Sequence, residues 1–231
     1  MAISESEKAI KKLESKIAEL EDRIARQEDI EEVRNLMGKY EVWHVPNKVT
    51  DTWQLFAMKT PDVSAEIADW GVYVGPEKIK RFYNEVHRVP YKGTMHEHYL
   101  TTYVIQVAKD GKTAKGVFFS PGHESWKNKK DERFATWVWG KYGVDFIKEE
   151  GVWKIWHLHW YTSMRSDFYK SWQEPCFIPG LEFEQEAKVP ADLPTTYHKP
   201  YGLNTEMDVV PPYPEPYETW DEFSVARGPK G

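Results

Sequence analysis

Residues 140–163 read GKYGVDFIKEEGVWKIWHLHWYTS, and this stretch decides the fold of the chain. Two aromatic-rich segments, residues 134–148 and 152–163, flank a turn at residues 149–151 that contains a glycine. Such segments on either side of a glycine-containing turn predict an antiparallel hairpin of two long strands. We expect this hairpin to close a meander of antiparallel strands.

Histidines two residues apart occur twice on predicted strands, at His96 and His98 and at His157 and His159. Side chains at positions i and i+2 of a strand point to one face, so each pair aims two imidazoles into one space. The second pair continues a row of alternate residues that begins at Trp153, which predicts a strand running from a packed interior into a pocket. Imidazole titrates near neutral pH and suits proton transfer or metal binding.

The rest of the pattern places helices before most of the strands, which is an α+β plan. Helices are predicted over residues 4–40, 47–60 and 76–87. Further strands are predicted over residues 63–69, 94–107 and 113–120, with a second hairpin turn at Asp110-Gly111.

The first predicted helix carries a narrow apolar stripe whose residues are spaced by three, four or seven positions. Its members are Ile3, Ile10, Leu13, Ile17, Leu20 and Ile24. This spacing is typical of a coiled-coil seam, and Ser4 with Glu7 predicts a capping box at the helix start. Because so narrow a stripe needs a partner to bury it, we expect a homo-oligomer, either a dimer or a trimer.

The composition changes after Glu174, where most of the 15 prolines are found. This segment also carries seven large aromatic residues: Phe177, Phe183, Tyr197, Tyr201, Tyr213, Tyr217 and Trp220. We interpret it as an extended arm whose aromatic side chains anchor it to its own or a neighbouring subunit. The chain therefore divides into a coiled-coil helix (1–28), an α+β domain (29–174) and an arm (175–231).

Bulk properties exclude several classes of protein. A net charge of −6 argues against nucleic acid as a main partner. Cys176 is the single cysteine, so an intrachain disulfide is excluded and a reducing, cytoplasmic location is expected. The first residues do not resemble a signal peptide, and no apolar run is long enough to predict a membrane span.

Several segments resemble SnoaL-like proteins, which belong to the superfamily of nuclear transport factor 2, scytalone dehydratase and ketosteroid isomerase. Residues 29–40, DIEEVRNLMGKY, resemble the first helix of the family, and residues 98–114 resemble its "His … Ile-x-Val … Asp-Gly-x-x-Ala" hairpin. Residues 140–155 resemble the final hairpin closely. The resemblance covers residues 29–165 and leaves the coiled-coil helix and the arm outside it.

The resemblance implies a cone, in which a curved antiparallel sheet wraps around helices and leaves a pocket at the open end. It also implies a lyase, dehydratase, isomerase or cyclase that needs no cofactor. Family enzymes often use a histidine at the position that His98 matches, together with acidic or tyrosine groups from the first helix. The acidic residue that many of them carry just after this helix is replaced here by Val45-Pro-Asn47, so the general base stays open.

The candidate site residues follow from these patterns. Tyr40, Trp43 and His44 fall on one helical face. The expected catalytic residues are His98, Tyr40, His44 and His159. The expected substrate-binding residues are Trp43, His96, His157, Glu66 and Tyr142. Glu66 alternates with apolar neighbours on its strand, so a carboxylate could lie beside a histidine there.

We expect general acid–base chemistry on a mid-sized hydroxylated aromatic or polycyclic molecule, with neither cofactor nor metal. One form of it resembles the retro-aldol removal of formaldehyde from lignin-derived diaryl compounds by bacterial lyases of this superfamily. Two alternatives stay open: a non-catalytic module that binds a hydrophobic ligand, and a metalloenzyme in which the two histidine pairs hold the ion.

Overall fold

The computed structural model describes residues 4–45, 47–86, 92–127, 131–174 and 189–228. Within them one seven-stranded sheet curves around the helices, which confirms the α+β prediction. No helix in the described ranges is long and apolar enough to cross a membrane.

Helix α1 spans Glu5–Val42 and begins with the predicted capping box. Ser4 Oγ accepts a hydrogen bond from the Glu7 N–H, and the Glu7 carboxylate accepts one from the Ser4 N–H. The second half of α1 enters the core through Val33 and Met37, whereas the first half projects away from the sheet with its apolar stripe exposed. The same helix is therefore packed into the core over its second half and exposed over its first half.

Two shorter helices and seven strands follow. The helices are a 3₁₀ helix at Val49–Leu55 and α2 at Pro76–Arg81, which continues as a π-helical turn at Phe82–Val86. The strands are β1 Ser64–Ile67, β2 Val72–Val74, β3 Met95–His98, β4 Tyr103–Val107, β5 Thr113–Lys127, β6 Arg133–Glu149 and β7 Val152–Asp167. The sheet order is β2-β1-β7-β6-β5-β3, with β4 also on β5, and only β1 and β7 pair in parallel.

The strand predicted over residues 94–107 is two strands, β3 and β4, which both pair with β5. The ladder of β3 ends at the pair His98 and Gly122. The next residue of β5 is Pro121, which has no N–H to donate and so interrupts the regular ladder. β5 itself is longer than predicted and reaches the cavity with its second half.

A β-bulge in β7 reverses which side chains face the core. Phe146 pairs with Ile155 and Asp145 pairs with His157, so Trp156 is an extra residue between them. One extra residue moves every later side chain to the opposite face. The predicted uninterrupted row from Trp153 to His159 is therefore wrong, because the two histidines turn outward.

A second bulge, opposite Gly140, leaves Ser163 as the extra residue of β7. It restores the earlier phase and brings Arg165 to the inner face. The Trp160 ring lies over Gly140, where an added Cβ would be 2.4 Å from the indole. The bulges thus place Trp160 and Arg165 on the concave side of the sheet.

Residues 189–228 lie along the edge and the outer face of the sheet and pack on their own chain. Leu193 bridges to Val72 at the β2 edge, and further along, the Tyr161 hydroxyl donates to the Val225 carbonyl at 3.0 Å. Gly143 leaves room for this contact, since a Cβ there would overlap the Val225 backbone. The earlier part of the predicted arm, with Phe177 and Phe183, lies outside the described residues.

Candidate active site

A cavity of about 50 Å³ lies between the end of α1, strand β3 and the inner face of β5, β6 and β7. Its polar lining consists of His44, His96, His98, Glu124, Tyr142 and Arg165. Its apolar wall includes Trp70, Val138 and Trp160. The enclosed space has room for a few water molecules, so a larger molecule enters only when lining side chains move.

His98 occupies the centre of this lining at the end of β3. Gly122 stands opposite it on β5, where an added Cβ would lie 3.1 Å from His98 Nδ1 and 2.5 Å from the Glu97 carbonyl oxygen. Glycine therefore lets β3 and the imidazole approach β5 this closely. His98 Nε2 lies 3.2 Å from Glu124 Oε1, and Nδ1 lies 3.4 Å from Ser120 Oγ. Both ring nitrogens therefore lie within hydrogen-bond distance of side chains on β5.

Glu124 bridges His98 and Arg165, since its other oxygen accepts a hydrogen bond from Arg165 Nη2 at 2.5 Å. Burial raises the pKa of the Glu124 carboxyl, but the charges of Arg165 and His98 outweigh burial and hold that pKa below its usual range. Burial lowers the pKa of His98, but the hydrogen bond and charge of Glu124, with the charge of Glu41, raise it above its ordinary value. His98 is therefore favoured in its protonated form.

Glu41 on α1 is the second carboxylate of the site. Both of its oxygens are buried, although the residue as a whole is partly exposed. Burial raises the pKa of Glu41 to about 7, while the charge of His98 and the Tyr142 hydroxyl limit that rise. Within the part of the chain that the structure describes, neither oxygen accepts a hydrogen bond of normal geometry. This carboxylate can therefore accept a proton near neutral pH.

Three tyrosines form the floor beneath these groups. The hydroxyls of Tyr40 and Tyr83 are 3.1 Å apart, and the ring of Tyr40 packs edge-on against that of Tyr142 at 5.6 Å. Burial raises the pKa of all three phenols, so they stay neutral and act as hydrogen-bond donors and acceptors. Tyr142 lines the cavity itself, and Tyr40 packs against it from behind.

The other residues predicted on α1 and β3 divide between cavity and surface. The His44 ring lies 5.3 Å from that of His98 and 6.1 Å from that of His96, and all three line the cavity. Burial lowers the pKa of His96, so it is neutral near pH 7. Trp43 turns away from the cavity, with its ring between the ammonium groups of Lys39 and Lys48.

His157, His159 and Glu66 lie on the outer face of the sheet and not in the cavity. His157 Nδ1 is 2.9 Å from an oxygen of Asp145, and the Glu66 carboxylate accepts hydrogen bonds from the backbone N–H and hydroxyl of Thr196. Burial lowers the pKa of His159 to about 3, so its imidazole stays neutral. The structure therefore separates these three residues from His98 and places them beneath the arm.

Three charged residues at the site were not predicted from the sequence: Glu124 and Arg165, which line the cavity, and Glu41, whose charge interacts with that of His98. Glu41 could have been found, because it lies three residues before His44 and shares its helical face. Glu124 faces the cavity only through the register of β3 on β5, and Arg165 only through the second bulge. Among the described residues, no group of three His, Cys, Asp or Glu side chains is arranged to hold a metal ion.

Sequence comparison identifies a family domain within the chain. Residues 25–159, which include the second half of α1, strands β1 to β6 and the first half of β7, match the SnoaL-like domain. No curated protein sequence is significantly similar to the chain.

Solved structures show the same architecture. A candidate scytalone dehydratase from Novosphingobium aromaticivorans has a TM-score of 0.52 and 18% identity, over 64% of this chain and 93% of that one. LinA has a TM-score of 0.51 and 15% identity, over 68% of this chain and 99% of that one. A type 2 hexachlorocyclohexane dehydrochlorinase has a TM-score of 0.50 and 18% identity, over 69% and 97%. At these identities the likeness establishes the cone fold.

Proposed function

We propose that this chain, which belongs to the SnoaL-like family, is a cofactor-independent lyase or dehydratase that works by general acid–base catalysis. The observation that carries the proposal is the pair Glu41 and His98: His98 lines the cavity, the charges of the two groups interact, the pKa of Glu41 is raised to about 7, and that of His98 is raised above its ordinary value. Enzymes that use acid–base chemistry at pH 7 usually have two titratable groups, and the surroundings favour the protonated form of one and the deprotonated form of the other.

The environments of the two groups assign their roles. Glu41 has a pKa of about 7, so a substantial fraction is ionised at neutral pH and able to take a proton. A proton on His98 is favoured because the hydrogen bond and charge of Glu124, with the charge of Glu41, raise the pKa of its imidazole. Glu124 is a positioning residue, since the Arg165 guanidinium keeps it ionised and it holds the imidazole. Glu41 is thus the general base and His98 the general acid.

These two groups are sufficient for a dehydration. Glu41 takes a proton from a carbon next to an activating group, and His98 protonates the hydroxyl on the neighbouring carbon. The C–O bond breaks, a carbon–carbon double bond forms and water leaves. A positioned acid or base contributes ~10²–10⁴-fold to the rate.

The same groups are sufficient for a retro-aldol cleavage. Glu41 takes the proton of a primary hydroxyl, and the adjacent C–C bond breaks to release formaldehyde. The electron pair of that bond passes to the other carbon, where an electron-withdrawing group of the substrate stabilises it, and His98 then protonates that carbon. The aromatic wall formed by Trp70 and Trp160, with the neutral Tyr142 hydroxyl among the polar groups, favours an aromatic substrate that carries hydroxyl groups.

The test is a panel of hydroxylated diaryl compounds with and without a primary alcohol, incubated with purified protein and no added cofactor. Formaldehyde release reports retro-aldol cleavage, and a product lighter by one water in mass spectrometry reports dehydration. We expect at least one compound to turn over and the reaction to be lost in His98→Gln. The matched control is His123→Gln, on β5, whose ring packs against Tyr99 and Trp137 outside the cavity.

Three outcomes would contradict the proposal, the first two its reaction class and the third the role of His98. Compounds that bind tightly in calorimetry but never turn over would favour a hydrophobic-ligand carrier. Turnover that a chelator abolishes, together with a stoichiometric metal in elemental analysis, would favour a metalloenzyme. Equal turnover in His98→Gln and His123→Gln would remove His98 from the mechanism.

A further inference from the structure

The first half of α1 presents an apolar stripe that no part of the described chain covers. Its five members, Ile10, Leu13, Ile17, Leu20 and Ile24, are 43–63% exposed. Each belongs to a helix that is anchored in the core at its other end, so the stripe is held out from the domain. A contiguous exposed apolar stripe on a rigid element marks an interaction surface.

The stripe has the heptad pattern of a coiled coil. Ile10, Ile17 and Ile24 recur every seven residues at the position called a, and Leu13 and Leu20 occupy position d. β-branched residues at a with leucine at d favour a parallel pair of helices. The apolar pattern therefore specifies a helical partner that carries the same seam.

The charges beside the seam identify that partner. The positions called e, which follow each d residue, are Glu14, Glu21 and Glu28, and all are acidic. The positions called g, which precede the a residues, include the basic Lys16 and Arg23. In a parallel pair, each g residue faces the e residue five positions later on the other helix.

Two such pairs are complementary when the partner is a second copy of this chain. Lys16 then faces Glu21 of the other copy, and Arg23 faces Glu28. In an antiparallel pair, e faces e and g faces g, which brings glutamate against glutamate and lysine against arginine. Like charges at these positions are unfavourable, so they select against that orientation.

We propose that α1 binds a second copy of this chain as a parallel, in-register, two-stranded coiled coil along Ile10–Ile24. The two α+β domains then lie at the same end of the pair, because α1 continues without a break into each core. The arm packs on the outer face of the sheet of its own chain, whereas nothing in the described ranges covers the apolar stripe of α1.

The orientation is tested by disulfide formation in the full chain. Cys176 is first replaced by serine, and single cysteines are then placed at Leu20, at Leu13, or at Ser15 on the solvent-facing side of the helix. We expect Leu20→Cys to form a disulfide-linked dimer on mild oxidation, because each copy meets itself at that position. Ser15→Cys is the matched control and should stay unlinked.

An antiparallel pair would give a different pattern, because position a of one helix then faces position d of the other. Leu20→Cys alone would stay unlinked and linkage would appear when it is mixed with an Ile17→Cys protein, and this result would overturn the proposal. Light scattering of the unmodified chain should give twice its mass of 27.2 kDa. A mass of one chain or of three chains would also overturn it.

The proposed charge pairs between the two helices are tested by reversing the sign of the charges. Replacing Lys16 and Arg23 by glutamate should weaken the association by about 10- to 100-fold, because attractive pairs become repulsive. Replacing Glu21 and Glu28 by lysine in the same chain should restore it. An association that neither change affects, or that survives Ile17→Glu, would show that the copies meet elsewhere or not at all.

Discussion

The two faces of the sheet carry similar residues and have different surroundings. On the inner face, His98 is held by Glu124, and a cavity lies beside the pair. On the outer face, His157 is held by Asp145, and the arm covers the pair through Ser224. Both imidazole side chains are buried, and both have a carboxylate partner. Only the inner pair has space beside it for another molecule.

This difference shows that a His-x-His pair on a strand does not by itself mark a site. The outer carboxylates use their lone pairs to hold the arm: Asp145 accepts from Ser224 and from the Val225 N–H, and Glu66 accepts from Thr196. Glu41 on α1 keeps both oxygens buried, and its charge interacts with that of His98. A cavity beside the histidine and its carboxylate partner, rather than residue type, distinguishes the inner face.

The largest expected effect comes from replacing the corresponding histidine on each face of the sheet by glutamine. His98→Gln should lower turnover by ~10²-fold or more, because one general acid is lost, with little change in the free energy of unfolding. His157→Gln should leave turnover per folded molecule unchanged and should release the arm to protease. Steady-state kinetics and limited proteolysis of both variants provide the measurement. The distinction between the two faces would be wrong if His157→Gln lost turnover and His98→Gln released the arm.

The next effect concerns the acceptor that holds the arm. Asp145→Ala removes the partner of His157 Nδ1, the Ser224 hydroxyl and the Val225 N–H, all of them buried. Leaving such groups unpaired should lower the free energy of unfolding by about 2–4 kcal/mol, measured by denaturant titration. The control is Asp208→Ala, whose exposed ion pair with Lys199 is worth less than about 1 kcal/mol. Equal losses in both variants would argue against a buried anchor.

Sequence patterns were sufficient for the architecture and for one part of the site. Heptad spacing, the capping box and the closing hairpin each depend on neighbours along the chain, so the helix and strands could be predicted. His98 was found through its strand and its family position. His157 and His159 were placed in the pocket because a one-residue bulge at Trp156 leaves no mark in a pattern of alternating residues.

The partners of His98 were harder to foresee because they come from other elements. Glu124 reaches it across the β3 and β5 ladder, and Arg165 reaches Glu124 only after the second bulge. The arm was expected to be anchored by its aromatic residues, whereas buried carboxylates on the sheet also hold it. Such long-range pairings are set by strand register, which local sequence does not specify.

Glu41→Gln tests whether the inner face is tuned for proton transfer. The folded-state pKa of about 7 lies above the ordinary 4.5, so the folded protein binds this proton more tightly than the unfolded chain. Wild-type stability should therefore fall as pH rises from about 5 to 8, and the raised pKa of His98 acts in the same direction.

The glutamine variant has no carboxyl to titrate, so its stability should depend less on pH. At pH 8 it should exceed the wild type by about 1–3 kcal/mol in the free energy of unfolding. Turnover should rise with pH through about 7 in the wild type and be lost in the variant. Parallel stability curves for the two proteins would show that Glu41 keeps an ordinary pKa.

The smallest expected effect concerns a buried cation on the outer face. The Lys115 ammonium pairs with Asp221 at 2.5 Å and lies 4.1 Å from the centre of the Tyr217 ring and 4.9 Å from that of Trp220. Its side chain is 2% exposed, so the charge is desolvated, and the attraction of the rings and the carboxylate is largely offset by that cost. Lys115→Met keeps the apolar stem and removes the charge.

Replacing a buried ion pair with an apolar side chain of similar volume is often neutral, and Asp221 is about half exposed and stays solvated. Lys115→Met should therefore change the free energy of unfolding by less than about 1 kcal/mol and leave the arm resistant to protease. Lys115→Ala should cost more, because it also removes the stem that the rings pack on. If Lys115→Met lowered the free energy of unfolding as much as Asp145→Ala, the arm would depend on the charge of the lysine. Charge would then be as important on the outer face as it is on the inner one.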